Sequence, residues 1–184
     1  MKTEIFPKSE DTKYRRIFGG VSWPGKRPGF CVIVGESRLS AGAKFVLLDE
    51  KESFDLRELV EVAGGLDFYY RPERWISDIE NPAAMRFVQE FNRTFDPRTG
   101  ARRLKLLPSR LLGLKDGLFT YIFPRLKRMA SEGGSVDISR GAKLLGYMGT
   151  PQEAEISEIV FGEFPSIEAL AYAVFELDQI RDSR

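Results

Sequence analysis

Two carboxylates, Asp78 and Glu168, occupy positions in this sequence that suggest chemistry. Asp78 ends the segment "WISD", which is typical of a strand, and Glu168 lies in the first turn of a helix predicted in "FPSIEALAYAVFEL". Neighbouring carboxylates repel each other, and a divalent cation relieves that repulsion while it activates water and stabilises a phosphoryl transition state. If folding brings the two residues together, the pair predicts a magnesium or manganese site.

A purely structural role explains the same two positions. Asp78 precedes a helix that is predicted to begin at Pro82, and Glu168 lies in the first turn of its own helix. Negative charge near a helix N-terminus is favourable because the helix dipole is positive there. This alternative needs no metal and no contact between the two carboxylates, and their spacing leaves both interpretations open.

The residue types exclude several other kinds of catalysis. The chain has no histidine and one cysteine, Cys31, which rules out Ser-His-Asp and Cys-His catalysis, the usual zinc sites and an intramolecular disulfide. Cys31 lies in the apolar run "FCVIVG", so we expect a buried, unreactive thiol. No GxxxxGK[ST] phosphate-binding loop is present. Hydrolytic chemistry would therefore depend on carboxylates and on hard metal ions such as magnesium or manganese.

Length and composition predict one soluble domain over residues 1–184, with residues 1–13 disordered or peripheral. The 184 residues are 42% hydrophobic and 30% charged, which suits a single ordinary core. The apolar runs are too short to cross a bilayer, and the N-terminal segment "MKTEIFPKSED" lacks the apolar centre of a signal peptide. We expect a cytoplasmic protein with no membrane partner.

The first half of the chain is predicted to form an antiparallel meander followed by a helix. Three strands are expected in "YRRIFGGVSW", "GFCVIVGE" and "AKFVLLDE", which Gly- and Pro-containing turns separate. A helix in "SFDLRELVEVAGG" is predicted to have Ser53 as its N-cap and to end at Gly64–Gly65. The segment "DFYY" is then interpreted as strand packing, and "RWIS" as a strand.

The second half alternates between helices and short strands. Asn81 and Pro82 predict the start of a helix whose apolar side includes Phe95, "RLKLLPS" predicts a strand, and "LFTYIFPRLKRMASEGG" predicts a helix with a kink or boundary at Pro124. "GSVDISRGAKLLGYM" predicts a short strand and helix, and the last helix is expected to start near Pro165. This order predicts an α/β fold with an RNase H-like mixed sheet, three antiparallel strands and then parallel strands, flanked by helices.

A basic block separates the two carboxylates in the sequence. Residues 93–131 carry ten basic and two acidic side chains, most densely in "NRTFDPRTGARRLKLLPSR". Such a block is typical either of a mobile loop near an anionic partner such as nucleic acid or of a solvated loop that balances acidic neighbours. On the first interpretation the phosphate contacts are Arg98, Arg102, Arg103, Lys105 and Arg110. We expect the double charge reversal Arg102→Glu/Arg103→Glu to weaken any DNA binding without appreciably lowering the melting temperature.

Three stretches together resemble the C-terminal nuclease domain of phage terminase large subunits, the RNase H-like part that cuts concatemeric DNA during packaging. They are "YRRIFGGVSWPG", "WISDIENPAAMRFVQEFN", and the region from "RLKRMASEGGSVDI" to "FPSIEALAYAVFEL", so the resemblance covers roughly residues 14 to 178. It implies an RNase H-like fold, a magnesium or manganese site in which Asp78 and Glu168 are catalytic and metal-binding residues, and double-stranded DNA and packaging proteins as partners.

The sequence departs from that family at two positions. Ser22 stands where the family has its first metal-binding aspartate, and Pro165 stands where the closing helix usually has the first of two acids. The ATPase domain that normally precedes the nuclease domain is also absent from the 184 residues, so we expect a fragment or a stand-alone relative, and the opening "MKTEIF" favours the latter. The resemblance thus implies a degraded metal site with weak or no cleavage.

Two alternative functions remain open at this stage. One is an active magnesium- or manganese-dependent DNA endonuclease that uses Asp78 and Glu168 with a substitute third acid, either Glu36 or one of Asp49 and Glu50. The other is an interaction module unrelated to nucleic acid, with no cofactor, whose likeness to the nuclease is limited to the fold.

Overall fold

The computed structural model describes residues 13–39, 44–94, 102–109, 122–131, 134–141 and 164–179, together with positions 96, 98, 111 and 143. The elements within these ranges are β1 (Tyr14–Ser22), β2 (Gly29–Ser37), β3 (Phe45–Ser53), α1 (Leu56–Tyr70), β4 (Arg74–Ser77), α2 (Pro82–Arg93), β5 (Leu106–Pro108), α3 (Phe123–Ala130), β6 (Val136–Asp137) and α4 (Pro165–Gln179).

The strands form one mixed sheet of six, in the order β5-β4-β1-β2-β3-β6. β1, β2 and β3 pair antiparallel, as the predicted meander requires. β4 pairs parallel with β1, β5 pairs parallel with β4, and β6 pairs parallel with β3. The predicted α/β fold with antiparallel strands followed by parallel strands is therefore confirmed.

Alternation along the strands produces two apolar cores, one on each face of the sheet. Phe18 and Phe30 belong to the core that α3 and α4 cover, whereas Val21 and Trp75 belong to the core that α1 and α2 cover. α4 packs directly on the middle of β1: a Cβ atom added at Gly20 would lie 1.9 Å from the carbonyl oxygen of Ala169. This close approach requires glycine and places the first turns of α4 over the C-terminal half of β1.

The predicted start of α1 is wrong. Ser53 is the last residue of β3, and Asp55 is the N-cap, since its carboxylate accepts from the backbone N–H groups of Arg57 and Glu58. The Ser53 hydroxyl instead donates to the Glu58 carboxylate. Ser and Asp are both strong N-cap residues, and the extent of β3 decides between them.

The predicted end of α1 is also wrong, because the helix continues through Gly64 and Gly65 to Tyr70. Gly64 serves packing rather than termination: a Cβ there would lie 2.2 Å from the ring of Phe91 on α2. The helix ends at Arg71, which caps it in the left-handed conformation with φ 52. "DFYY" is consequently the last turn of α1 and not a strand.

The other helix predictions agree with the structure where it describes them. The Asn81 side chain caps α2 by accepting from Ala84 N–H, and Pro82 is its first residue. Pro124 lies in the first turn of α3, so it marks a boundary and not a kink. α4 begins at Pro165 as predicted. Phe95, residues 1–12 and most of the helix predicted after β6 lie outside the described residues.

The expected burial of Cys31 is confirmed, and burial raises the pKa of its thiol well above the usual range. Trp23 and Trp75 are also buried. Of the helices described, none is both long and apolar enough to cross a membrane.

Candidate active site

The sheet register places Asp78 beside Ser22. Val21 of β1 pairs with Ser77 of β4 in the parallel ladder, and Ser22 and Asp78 are the next residues along their strands. Ser22 lies on the face that α4 covers, because Val21 belongs to the opposite core. The C-terminal ends of β1 and β4 and the start of α4 therefore meet at one point.

A buried hydrogen bond joins β1 to α4 at this point. The Ser22 hydroxyl donates to Glu168 Oε2 at 2.6 Å, and the two residues are 3% and 1% exposed. Glu168 therefore points into the protein instead of lying on the surface of the first helical turn. A buried carboxylate is costly without polar partners, and a short bond from a hydroxyl to a charged oxygen is among the stronger hydrogen bonds.

Tyr172 lies near both predicted acids. It lies one turn after Glu168 in α4 and is buried. Burial raises the pKa of its phenol well above the usual range, and the negative charges of Glu168 and Asp78 raise that pKa further. Both carboxylates thus act on the same hydroxyl, and the structure brings Asp78 and Glu168 into one group. We call Ser22, Asp78, Glu168 and Tyr172 the acid pocket.

Asp78 is held by its own backbone and by the turn that follows it. Trp23 Nε1–H donates to the carbonyl oxygen of Asp78 at 2.6 Å. Asp78 Oδ1 accepts from the backbone N–H of Glu80 at 2.8 Å, which forms the turn that leads into α2. The half-buried Asp78 side chain therefore has a structural task in addition to its place in the acid pocket.

Among the residues that the structure describes, the acid pocket contains two carboxylates, a serine hydroxyl and a phenol. Within the part of the chain that the structure describes, no three Asp, Glu, His or Cys side chains are grouped so that they could hold a metal ion. Ser22 contributes a neutral oxygen where a bridging carboxylate would be needed, and its proton occupies a lone pair of Glu168. Asp78 and Glu168 are the carboxylates that the described residues contribute to this group.

The substitute acids considered from the sequence do not complete the site. Glu36 pairs with Arg16, six residues from Ser22 along β1, which is about 20 Å away. Asp49 accepts from the Tyr70 hydroxyl at 3.2 Å and so faces α1. Glu50 accepts from the backbone N–H of Lys143 at 2.8 Å, on β3, two strands away from β1.

Two residues near the acid pocket were missed from the sequence. Glu52 pairs with Phe30, which pairs with Ser22, so Glu52 lies in the same row across the sheet, where Lys143 forms an ion pair with it. The Arg27 guanidinium lies 4.2 Å from the centroid of the Phe164 ring, just before α4. Counting alternate residues along β3 could have indicated Glu52, whereas the turn "PGKRPG" contains no signal for the position of Arg27.

Arg102 has a structural partner. Its guanidinium donates to both carboxylate oxygens of Asp67, at 2.9 and 2.8 Å, and to the carbonyl oxygen of Pro72 at 2.7 Å. Asp67 also accepts from Trp75 Nε1–H at 3.0 Å. The Asp67 side chain is 5% exposed and that of Arg102 is 40% exposed. This network holds Arg102, and with it this part of the basic block, against the last turn of α1.

The other predicted phosphate contacts that the structure describes are on the surface, and those of residues 103–105 lie away from the acid pocket. Arg98, Arg103 and Lys105 are exposed, and Arg110 lies outside the described residues. Trp75 pairs with Leu106, so residues 102–105 approach the N-terminal ends of β4 and β5. Asp78 follows the C-terminal end of β4. The structure therefore does not bring the described basic residues together with Asp78 and Glu168.

Comparisons with known proteins give a likeness in structure alone. No protein-family model matches the sequence, and no curated protein gives a significant match. Among solved structures, the chain is similar to the nuclease domain of the g2p large terminase from bacteriophage SPP1, which was crystallised with bound Mn. The TM-score is 0.54 with 15% identity, over 96% of this chain and 94% of the other. The chain thus has the RNase H-like fold of a terminase nuclease domain.

Proposed function

We propose that residues 1–184 form a terminase-nuclease-like RNase H-fold domain of phage or prophage origin, in which the two-metal site is degraded and DNA cleavage is weak or absent. The domain would act in the cytoplasm and retain binding to double-stranded DNA or to packaging proteins. The observation that carries this proposal is the buried 2.6 Å hydrogen bond from Ser22 to Glu168. At the point where a cation would need a carboxylate on β1, a serine instead satisfies the carboxylate on α4.

The expected loss of activity follows from electrostatics. A pair of cations stabilises the attacking and leaving oxygens of phosphoryl transfer, and carboxylates hold both ions in place. Replacing one carboxylate with a neutral hydroxyl removes several kcal/mol of transition-state stabilisation, which lowers the rate by about a thousandfold or more. If any cation binds, Asp78 and Glu168 would be its protein ligands and magnesium or manganese the expected metal.

Binding to DNA would use the basic block of residues 93–131. Arg98, Arg102, Arg103, Lys105 and Arg110 are the proposed phosphate contacts, with Arg102 also anchoring the segment through Asp67. Phosphate contacts position a protein on DNA without reading sequence, and their affinity falls steeply with salt. The likeness of the fold to a nuclease domain supports a nucleic-acid partner.

An active endonuclease is the second candidate, and one observation favours it: Asp78 and Glu168 both raise the pKa of Tyr172, so they share one location. Supercoiled plasmid incubated with manganese or magnesium separates the two candidates. A degraded site predicts no nicking, or a rate about a thousandfold below that of an intact two-metal nuclease. Efficient nicking that Asp78→Asn abolishes would favour the second candidate instead. An absence of duplex binding even at low salt would favour an interaction module unrelated to nucleic acid.

A further inference from the structure

One end of the sheet carries a concentration of exposed positive charge. β1 and β4 begin at this end, β2 ends there, and the chain enters β5 there. We call its exposed cations the basic end. They are Lys13, Arg15, Arg38, Arg71, Arg74, Arg102, Arg103 and Lys105.

Hydrogen bonds link the β1 and β2 parts of the basic end. Arg38 N–H donates to the carbonyl oxygen of Lys13 at 3.2 Å, and Arg38 Nε–H donates to that of Tyr14 at 2.9 Å. The start of β1 and the end of β2 are thereby held together, which brings Lys13, Arg15 and Arg38 to the same edge of the molecule.

The β4 and β5 parts join the same end through the sheet. Glu73 N–H donates to the carbonyl oxygen of Ile17 at 2.8 Å and Arg74 pairs with Phe18, so β4 begins beside the middle of β1, and the N-terminal half of β1 extends past it. Trp75 pairs with Leu106, which sets Lys105 level with Arg74 on the neighbouring strand. The Arg102 network with Asp67 then fixes the segment that carries Arg103 and Lys105.

The carboxylates at this end do not cancel the positive charge. Segments 13–16, 36–38, 67–74 and 102–105 together contain nine cations and three carboxylates. Glu36 and Asp67 are buried, and Glu73 pairs with Arg16 at 3.4 Å. Around the acid pocket the balance differs, because the opposite end of the sheet carries the five carboxylates Glu50, Glu52, Asp78, Glu80 and Glu168 with the four cations Lys26, Arg27, Lys51 and Lys143.

We propose that the basic end binds the phosphate backbone of double-stranded DNA, and that the bound duplex lies away from the acid pocket. This inference rests on the DNA binding proposed above and gives it a location. Four neighbouring strands, β5, β4, β1 and β2, span about 14 Å across the sheet, so the cations that they carry are spread over several phosphate spacings. Duplex DNA presents one charge per about 1.7 Å of axis, so several cations can contact phosphates at once.

The residues at the basic end favour a duplex over a single strand. Sites for single strands combine cations with aromatic rings on which successive bases stack. Tyr69 is the exposed large aromatic residue that the structure describes at this end, and its ring packs edge-on against Tyr70 at 4.8 Å. Arginine predominates among the cations, and its guanidinium suits bidentate contact with phosphate.

The distance between the two ends separates binding from the acid pocket. Arg74 and Asp78 stand at opposite ends of β4, about 13 Å apart along an extended chain. The segment that carries Arg103 approaches β5 from the side remote from Asp78. A duplex held by the basic end would not require Asp78, Glu168 or a metal ion, so loss of cleavage and retention of binding are compatible.

The test compares two charge reversals of equal size. Arg74→Glu/Arg103→Glu changes the basic end, and Lys26→Glu/Arg86→Glu changes exposed cations elsewhere by the same net charge. Affinity for a short labelled duplex is measured by fluorescence anisotropy between about 50 and 200 mM salt. We expect the basic-end variant to bind at least about tenfold more weakly, with a salt slope shallower by about two. The control should bind within about twofold of the unmodified protein.

Circular dichroism melting verifies that both variants fold. Arg103→Glu/Lys105→Glu replaces the first variant if Arg74→Glu unfolds the protein.

The inference is overturned if the control weakens binding as much as the basic-end variant, or if the basic-end variant binds normally. Tighter binding of a single strand than of the duplex would overturn the choice of partner. If the unmodified protein binds no DNA at low salt, the proposed DNA-binding function fails together with this inference. If it binds DNA and neither variant weakens binding, only the inference fails.

Discussion

The two ends of β1 and β4 use polar residues in opposite ways. At the acid pocket, Ser22 and Glu168 are buried, and a hydrogen bond of 2.6 Å joins them. At the basic end the cations are exposed, and Arg102 forms an ion pair with the buried Asp67 carboxylate.

This contrast determines what a substitution at each end should change. Buried polar groups interact strongly because the surrounding dielectric is low, so a change in the acid pocket should alter the free energy of unfolding. Exposed charges contribute little to folding and act instead through the summed field that a polyanion experiences. The proposed loss of a metal site at one end is therefore compatible with the proposed binding of DNA at the other.

The largest effect is expected for Ser22→Asp. This substitution replaces a hydrogen-bond donor with a second carboxylate against buried Glu168, and it should lower the free energy of unfolding by about 3–5 kcal/mol when EDTA is present. Three carboxylates would then surround the pocket, so manganese at about a hundred times its Kd should restore about 2.7 kcal/mol. Thermal melting with and without manganese measures both changes.

Ser22→Asn is the control for that variant, because it is neutral and should not respond to manganese. If the Ser22→Asp protein melts at the same temperature with and without the metal, the pocket does not admit a cation even when the missing carboxylate is supplied. The interpretation of Ser22 as the cause of the degraded site would then be wrong.

The next effect is expected at the ion pair between Arg102 and the buried Asp67 carboxylate. Arg102→Ala leaves the Asp67 carboxylate buried without its two guanidinium bonds, and it should cost about 2–3 kcal/mol, a figure reduced because Arg102 is partly exposed. Urea denaturation measures this loss, and Arg103→Ala serves as the neighbouring control. Equal stability of the two variants would contradict the anchoring role of Arg102. For the charge reversal of Arg102 and Arg103, we therefore now expect a lower melting temperature, because Arg102 would no longer pair with Asp67.

A smaller effect is expected in alkaline solution. Because the folded protein raises the pKa of Tyr172, the unfolded chain loses this proton first, at about pH 10, and stability should fall by about 1.4 kcal/mol per pH unit above that value. Below the ordinary tyrosine pKa this contribution to stability is fully present. Tyr172→Phe should flatten the alkaline fall in urea midpoints, whereas Tyr69→Phe, at an exposed position, should not. Parallel curves for Tyr172→Phe and the unmodified protein would show that Tyr172 ionises freely.

The smallest effect on stability is expected for Arg103→Glu/Lys105→Glu, which changes exposed side chains at the basic end. The free energy of unfolding should change by less than about 0.5 kcal/mol, while duplex affinity falls. Denaturation and anisotropy on the same preparation test this separation. A loss of stability comparable to that of Arg102→Ala would mean that Arg103 and Lys105 also stabilise the fold.

The sequence was sufficient to predict the local features of the fold. Alternating apolar residues predicted β1, β2 and β3, and Asn81 with Pro82 predicted the start of α2, because strand alternation and helix capping depend on residues a few positions apart. The same local rules failed for α1. Gly64 is a typical helix terminator in isolation, but the Phe91 ring packs against it from another helix.

The residue types alone also limited the chemistry, since a chain without histidine cannot build the common hydrolytic triads or zinc sites. The partners of individual side chains were not predictable, because they depend on register and on contacts between distant segments. Ser22 and Glu168 are 146 positions apart and meet through the packing of α4 on Gly20, while Arg102 reaches Asp67 across 35 positions. Local sequence patterns carry no information about such separations, whereas folding brings these groups together because burial requires each polar group to find a partner.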